Sequence, residues 1–366
     1  MNRYIVDCEA IGKNADIFHR QMATVQIIGV VKGNGYGLGT VSLAKALLKK
    51  GIKMLAVARI DEAKALRKAG IEVPILMLTP VMTEEEAACI VDMGLIGCID
   101  SAESAVLLNS VSEQTAQITE VHIKVDTGFG RYGFLSGEED KIIRVAKHMK
   151  NLCIGGIFTH ISNPYTSDRH SVDAQMAKFK KTCERLENER INLGIKHVAN
   201  TATALKYPEY RFDAVRIGSG FLGRLPIKDS WGFSRVGYFE SSITQIKWVP
   251  ENMNIGYADV FKTKKATKTA VVPIGHTDGF GVMKSRDTYR FRDVLRYMWG
   301  DFKDIFKDKR VFCLINGKKV PILGRIGLTN IVVDVTRIEC SVGDKVVLES
   351  NPLTVGANVE RVFIND

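Results

Sequence analysis

Short apolar runs alternate with longer stretches whose apolar positions recur every three or four residues, over roughly the first two hundred residues. The short runs are rich in Val and Ile and bounded by Gly, Pro or Asp, which predicts buried strands; the longer ones predict amphipathic helices. The first run, Val25-Gln26-Ile27-Ile28-Gly29, leads through a glycine-rich loop into a helical pattern at 41–48. The alternation then repeats, with strands expected at 53–58, 74–78, 95–99, 121–126, 153–160, 195–199 and 212–217. Helices are expected between them, among them 60–69, 142–149 and 172–190. Eight strand-then-helix units make an α/β fold, a parallel (β/α)8 barrel of the TIM type, with an open doubly wound sheet as the alternative that periodicity leaves open. Near residue 235 the pattern changes to short β-rich runs at 243–249, 268–274, 311–315, 318–322, 331–335 and 344–348. Asn316-Gly317 between two of them is a hairpin signal. The expected organisation is a barrel over 1–234 and a C-terminal β-rich domain over 235–366, interrupted by a charged, aromatic insertion at 289–309.

Composition changes this picture little. The chain is 45% hydrophobic and 25% charged, ordinary for a globular protein. Its net charge of +10 is scattered, and the one dense basic run, 262–268, has no interleaved aromatics. That run reads as a solvated loop, so no nucleic-acid partner is expected; the positive balance suits anionic small molecules. Seven cysteines without a Cys-x-x-Cys pair, and seven histidines without His-x-x-x-His, argue for reduced thiols, a cytoplasmic location and no metal site. No signal-peptide core and no membrane-length apolar run is present, so no membrane partner is expected.

Candidate chemistry follows from the barrel. Strand C-terminal ends share one face, and that face carries the active site. The residues at those ends are Lys32, Lys124 with Asp126, His160, Asn200-Thr201 and Arg216. Alone, Lys32 reads as a solvated lysine, and the glycines at 33, 35, 37 and 39 fit neither a P-loop nor a dinucleotide fingerprint. Together, these groups point to an anionic cofactor. The loops after strands seven and eight, Asn200-Thr201-Ala202-Thr203 and Gly218-Ser219-Gly220, stand where barrels hold phosphate. A lysine that can form an imine, beside a phosphate cradle, is the signature of pyridoxal 5′-phosphate chemistry.

Here the sequence resembles the alanine racemase family over nearly its whole length. The matching segments are Val31-Lys32-Gly33-Asn34-Gly35-Tyr36-Gly37, the run from His122 to Gly133, Phe158-Thr159-His160, His197-Val198-Ala199-Asn200-Thr201, Val215-Arg216-Ile217-Gly218, Gly256-Tyr257 and Pro273-Ile274-Gly275. The resemblance implies a homodimer with shared active sites and a pyridoxal-phosphate-dependent racemase working with two bases. Lys32 would hold the cofactor and be one base; Tyr257, reaching into the other subunit's site, would be the second. Arg216 would bond the pyridine nitrogen, supported by His160 and His197. Arg131 would contact cofactor and substrate carboxylate, and Lys124 matches a lysine often carbamylated in the family. Tyr36, Asn200, Thr201, Gly218 and Ser219 fall at cofactor-binding positions, Leu328 and Thr329 at the substrate wall.

Departures bear on the substrate. Family members usually read Gly-Arg-x-(Cys or Ser)-Met-Asp where this chain has Gly324-Arg325-Ile326-Gly327-Leu328-Thr329. His276 replaces a usual tyrosine, and a pocket tyrosine near the C-terminus is replaced around Gly356-Ala357-Asn358. Alanine is the expected substrate, with serine or a larger polar amino acid as the alternative. A related decarboxylase and a non-catalytic pyridoxal-phosphate-binding protein are weaker readings, because the chain keeps the Lys124 to Arg131 segment, the β domain and Tyr257.

Overall fold

Eight parallel strands follow one another around a ring: Gln26–Val30, Met54–Val57, Ile75–Met77, Gly97–Ile99, Thr119–Asp126, Leu152–Phe158, Ile195–Asn200 and Ala214–Ile217. The last pairs with the first, Ala214 opposite Gln26 and Ile217 opposite Gly29. Between the third and fourth strands a bridge joins Leu76 to Ile96; the Met77 N–H donates to Ile96 O, and the Ile96 N–H to Ile75 O, both at 2.9 Å. The sheet is therefore a barrel and not an open sheet. All eight strands appear where the apolar runs predict them, with ends shifted by one or two residues. This is the computed structural model of the chain, and it describes residues 2–166, 168–228, 230–282, 286, 289–304 and 310–365.

Alternate residues on each strand point inward, so Ile28, Val30, Met54, Ala56, Leu76, Ile96 and Ala214 form one buried cluster. Each large side chain buried there contributes about 1.5–3 kcal/mol. α-Helices follow the first seven strands, but the eighth is followed by a short 3-10 turn, Ser219–Leu222. A helix the periodicity reading passed over, Cys8–Met22, precedes the first strand and packs against that turn, with Phe18 edge-on to Phe221 at 5.4 Å. Its apolar positions are interrupted by Asn14, which is buried and fully engaged. Asn14 Nδ2 donates to Phe221 O (2.9 Å) and Ser234 O (2.7 Å), and Oδ1 accepts from the Ser234 N–H (2.9 Å).

Two units partition the chain, one over 8–236 and the other over 2–7 with 237–364. The expected boundary at 234/235 leaves the first seven residues with the barrel, whereas the strand Arg3–Asp7 lies inside the β unit. It runs antiparallel to Gly237–Ser242 and parallel to Glu360–Ile364. The nine-stranded β sheet reads, from edge to edge, Gln245–Val249, Thr267–Val272, Ile331–Asp334, Lys318–Leu323, Phe312–Ile315, Lys345–Glu349, Gly237–Ser242, Arg3–Asp7 and Glu360–Ile364. The predicted hairpin is present: Asn316 and Gly317 both have positive φ (49° and 74°), as a type I′ turn requires. In the insertion, Phe291–Asp304 is a helix, and 305–309 lie outside the described residues.

Candidate active site

The first barrel strand ends at Val30, and the chain then makes a left-handed turn directly after Lys32. Gly33, Asn34, Gly35 and Tyr36 have φ of 65°, 52°, 60° and 54°. Left-handed helix costs an ordinary L-residue about 1–2 kcal/mol, glycine nothing, and asparagine little. This explains the glycine at every second position: the spacing serves a backbone conformation and not a nucleotide. Glu62, buried on the helix that follows the second barrel strand, clamps the turn. Its Oε1 accepts from the N–H groups of Gly33 and Asn34, and its Oε2 from those of Ala58 (3.0 Å) and Arg59 (3.2 Å). One carboxylate thus ties the ends of two strands and fixes the root of Lys32. Sequence reading missed Glu62, although its place in the first turn of the helix Ile60–Lys68 was the available signal.

Lys32 faces a cavity of about 260 Å³ at the C-terminal end of the barrel. Four cations line it, Lys32, Lys124, Arg131 and Arg216, together with His160, Tyr36, Asn200, Thr201, Gly218 and Ser219. Among the described residues its lining contains no carboxylate. Burial, then Arg131 and Arg216, lower the Lys32 pKa, with Glu62 opposing. Lys124 is lowered to about 8, by burial first, with Arg131 and Arg216 adding to it. Its Nζ donates to Leu78 O at 3.0 Å and lies 5.0 Å from the Tyr132 ring centre. Both lysines are thereby biased toward the neutral amine, the nucleophilic form.

Arg216 is buried, and its hydrogen-bond partners among the described residues are all neutral. It donates to the carbonyls of His197, Thr159 (2.7 Å) and Val198 (3.1 Å), and its Nη1 lies 2.9 Å from His197 Nδ1. Arginine only donates, so His197 Nδ1 must accept, which puts the His197 proton on Nε2. That N–H donates to His122 Nδ1 at 2.8 Å. The His122 proton is then on Nε2, facing Glu120 Oε1 at 3.6 Å. Burial holds His122, His197 and His160 below the usual histidine pKa, and Arg216 lowers all three further. Gly155-Gly156 makes room for this relay: a Cβ on Gly156 would lie 2.7 Å from the His122 ring, and one on Gly155 would strike Glu120. A glycine pair inside a strand was the sequence signal for that close approach.

Other expected residues are placed as follows. His197 stands behind Arg216 and does not line the cavity. Asn200 lines it, but its Oδ1 caps the helix Thr201–Lys206 by accepting from the Thr203 N–H at 3.1 Å. Tyr36 reaches the backbone so closely that a Cβ on Gly218 would sit 2.1 Å from its hydroxyl. Arg131 is positioned by Asp126, whose carboxylate accepts four N–H groups, from Gly128, Phe129, Gly130 and Arg131, at 2.8–2.9 Å. Burial pushes the Asp126 pKa up, but those four bonds outweigh it and the net shift is down. Tyr165, Phe158, Leu78, Val30, Ala202 and Pro226 complete the wall and were not anticipated as site residues.

Tyr257, Leu328 and Thr329 do not line this cavity; they belong to the β unit and are exposed, Tyr257 by 70%. Within that unit their loops meet. A Cβ on Gly324 would strike Ile255 O at 2.4 Å, and one on Gly275 would strike Gly327 O and Leu328 O. The His276 N–H donates to Gly327 O (3.1 Å), the Thr277 N–H to Leu328 O (3.0 Å), and the Gly356 N–H to Asp278 O (2.9 Å). The positions that depart from the family pattern are therefore gathered in one loop cluster.

A parallel barrel with a lysine in a cationic cavity at its C-terminal rim, joined to a β unit, defines a class of barrel proteins with an anion-binding centre and a reactive amine. The chain belongs to the alanine racemase family and is by class an amino-acid racemase. The family model described as "Alanine racemase, N-terminal domain" matches residues 6–226, and "Alanine racemase, C-terminal domain" matches 236–362. An alanine racemase of Methanococcus maripaludis is 33% identical over 363 residues, 97% of this chain and 91% of that protein. One from Halothermothrix orenii is 31% identical over 330 residues, 89% and 81% of the two chains. Among solved structures, alanine racemase of Bacillus anthracis with bound L-Ala-P is 25% identical, with a TM-score of 0.83, covering 100% of this chain and 95% of that one.

Proposed function

We propose that the chain is a pyridoxal-phosphate-dependent racemase that interconverts L- and D-alanine in the cytoplasm as a homodimer. The observation that carries this reading is the cavity itself: a neutral-biased lysine, three further cations and the hydroxyls of Tyr36, Thr201 and Ser219 around one space. The donor set fits the cofactor. Lys32 supplies an amine for the aldehyde, and Tyr36, Thr201, Gly218 and Ser219 supply hydroxyls and backbone for phosphate. Arg216, a buried cation whose hydrogen-bond partners among the described residues are neutral, suits the pyridine nitrogen. Being donor-only, Arg216 would favour that nitrogen in its unprotonated form, and the His197–His122 relay holds the guanidinium in place.

When bound, the cofactor supplies the sink for the electron pair left as the Cα–H bond breaks. The chain's own groups do the rest. Lys32 Nζ takes or returns the Cα proton on one face, and the Tyr257 hydroxyl of a second copy of the chain does so on the other. Arg131 holds the substrate carboxylate. Lys124, with its pKa near 8, presents neutral amine that adds CO2 and releases a proton; the resulting carbamate would fix Arg131. Leu328 and Thr329 of that second copy would form the wall beside the substrate side chain.

The loop cluster favours a second, broader specificity. Gly327 removes a side chain, and His276, Thr329 and Asn358 offer polar partners, so serine should be racemised within about two orders of magnitude of alanine in kcat/KM. The test is purified holoenzyme assayed against a panel of L-amino acids with chiral separation of products. Alanine turnover is the expected result. Cofactor binding at Lys32 with no racemisation of any amino acid would replace the enzyme with the non-catalytic binding protein.

A further inference from the structure

The insertion helix Phe291–Asp304 takes no part in the site described above, and its two faces differ sharply. At about 100° per residue, Phe291, Leu295, Met298, Trp299 and Phe302 fall within an arc of about 100°. All five are exposed, Phe291 by 78% and Trp299 by 60%. Arg292, Arg296 and Lys303 stand along one edge of that arc, with Lys303 Nζ 5.3 Å from the Trp299 ring centre. The acids lie away from it. Asp293 is buried and shared by Arg290 (Nε to Oδ2) and Arg296 (Nη2 to Oδ1, 3.2 Å). Asp301 is held by both terminal nitrogens of Arg286. The outward half of the helix thus combines large apolar side chains with cations and presents neither of these carboxylates. The wider segment 284–310 carries nine Lys or Arg against five Asp.

From this arrangement we propose that the helix docks the enzyme on an anionic lipid surface, lying in the interface with Phe291, Leu295, Met298, Trp299 and Phe302 in the acyl boundary. The chemistry matches each layer. Trp and Phe with Leu suit the headgroup–acyl boundary, and arginines and a lysine beside them reach lipid phosphates. Positive charge beside the apolar stripe selects an anionic surface over a neutral one. A projecting ridge of long, flexible and aromatic side chains inserts into a fluid layer without needing a complementary pocket. The expectation of no membrane partner rested on the lack of a spanning segment. Among the described residues no helix is long and apolar enough to cross a membrane, but an interfacial helix needs no span.

The test uses the full-length holoenzyme in co-sedimentation with vesicles of phosphatidylcholine alone or with about one third phosphatidylglycerol. Expected is partition onto the anionic vesicles only, weakened by raised salt, with a blue shift of tryptophan emission that disappears in Trp299→Phe. Leu295→Ser/Trp299→Ser/Phe302→Ser should reduce partition at least tenfold, and Arg292→Glu/Lys303→Glu several-fold, with racemisation in solution unchanged for both. Equal binding to neutral vesicles, or binding unaltered in the triple variant, overturns the proposal. So does a wild-type chain that ignores anionic vesicles while the triple variant sediments as a smaller species, which would make the helix a contact between copies of this chain.

Discussion

Arg216 and Lys124 at the barrel cavity are buried and the turn that carries Lys32 is clamped, whereas Tyr257, Leu328 and Thr329 of the β unit stand exposed on short turns. Arg216 is held by three carbonyls and an imidazole, and the turn after Lys32 by both oxygens of Glu62. In the β unit the corresponding contacts are made by backbone: His276, Thr277 and Gly356 N–H groups donate to carbonyls of neighbouring loops. The difference separates two tasks. Where protonation state must be fixed, side chains are locked together and a substitution disturbs its neighbours. Where only the shape beside a substrate matters, backbone carries the fold and side chains can change without loosening it.

The largest effect tests the locked half. Lys32→Ala should lower kcat by about 10^3–10^4-fold. Borohydride treatment of the loaded wild type, followed by peptide mapping, should place the pyridoxyl group on Lys32; recovery on Lys124 would reverse the assignment of the two lysines. Tyr257→Phe should cost about 10^2–10^3-fold. Because this residue is exposed in one chain, mixing it with Lys32→Ala chains should restore activity in hybrid dimers. No recovery after demonstrated subunit exchange would show that the two bases do not share a site.

A pH experiment sharpens the same contrast. The folded pKa of Lys124 is about 8 against 10.5 in the unfolded chain, so between those values the unfolded state binds the extra proton. Stability should therefore rise with pH across that window, by up to about 3 kcal/mol from this group. Lys124→Met, unfolded in urea at pH 7.5 and pH 10 in carbonate-free buffer, should lack that rise; equal slopes would mean that Lys124 is solvated. Glu62→Gln keeps one acceptor and one pair of clamped N–H groups, and should lower kcat roughly tenfold by loosening Lys32. A change confined to KM would contradict that positioning role.

The smallest effect belongs to the β unit. Leu328→Met/Thr329→Asp should narrow preference toward alanine by up to about 1–3 kcal/mol, read as the ratio of kcat/KM for alanine over serine, with folding stability nearly unchanged; Gly327 is kept, because a Cβ there would lie 2.7 Å from Asn330 O. A large loss of stability would show that the loop cluster is as tightly coupled as the cavity.

The barrel was legible because parallel strands buried on both sides read as apolar runs, and their C-terminal ends could be listed without knowing closure. Lys32, Lys124, His160, Thr201 and Arg216 do line one cavity for that reason. What escaped was chemistry whose sign depends on tertiary neighbours. Glu62 looks like any acid in a helix's first turn, and Asn14 like a break in a helix. The strand Arg3–Asp7 could not be assigned because its partners lie at 237–242 and 360–364, beyond any local window.

That same strand sets an order of events during synthesis. Arg3 pairs with Glu360 and Asp7 with Ile364, so the first strand of the chain is completed by the last. The barrel, 8–236, is contiguous and can fold as soon as it leaves the ribosome. One edge of residues 3–7 can pair with 237–242 soon after the barrel emerges, but the edge facing 360–364 must wait for roughly another 120 residues, on the order of ten seconds at ordinary elongation rates. A nascent-chain protease assay should find the barrel resistant while the N-terminal strand is still cleavable. Truncating the final strand should leave a folded barrel trailing an unsealed β unit.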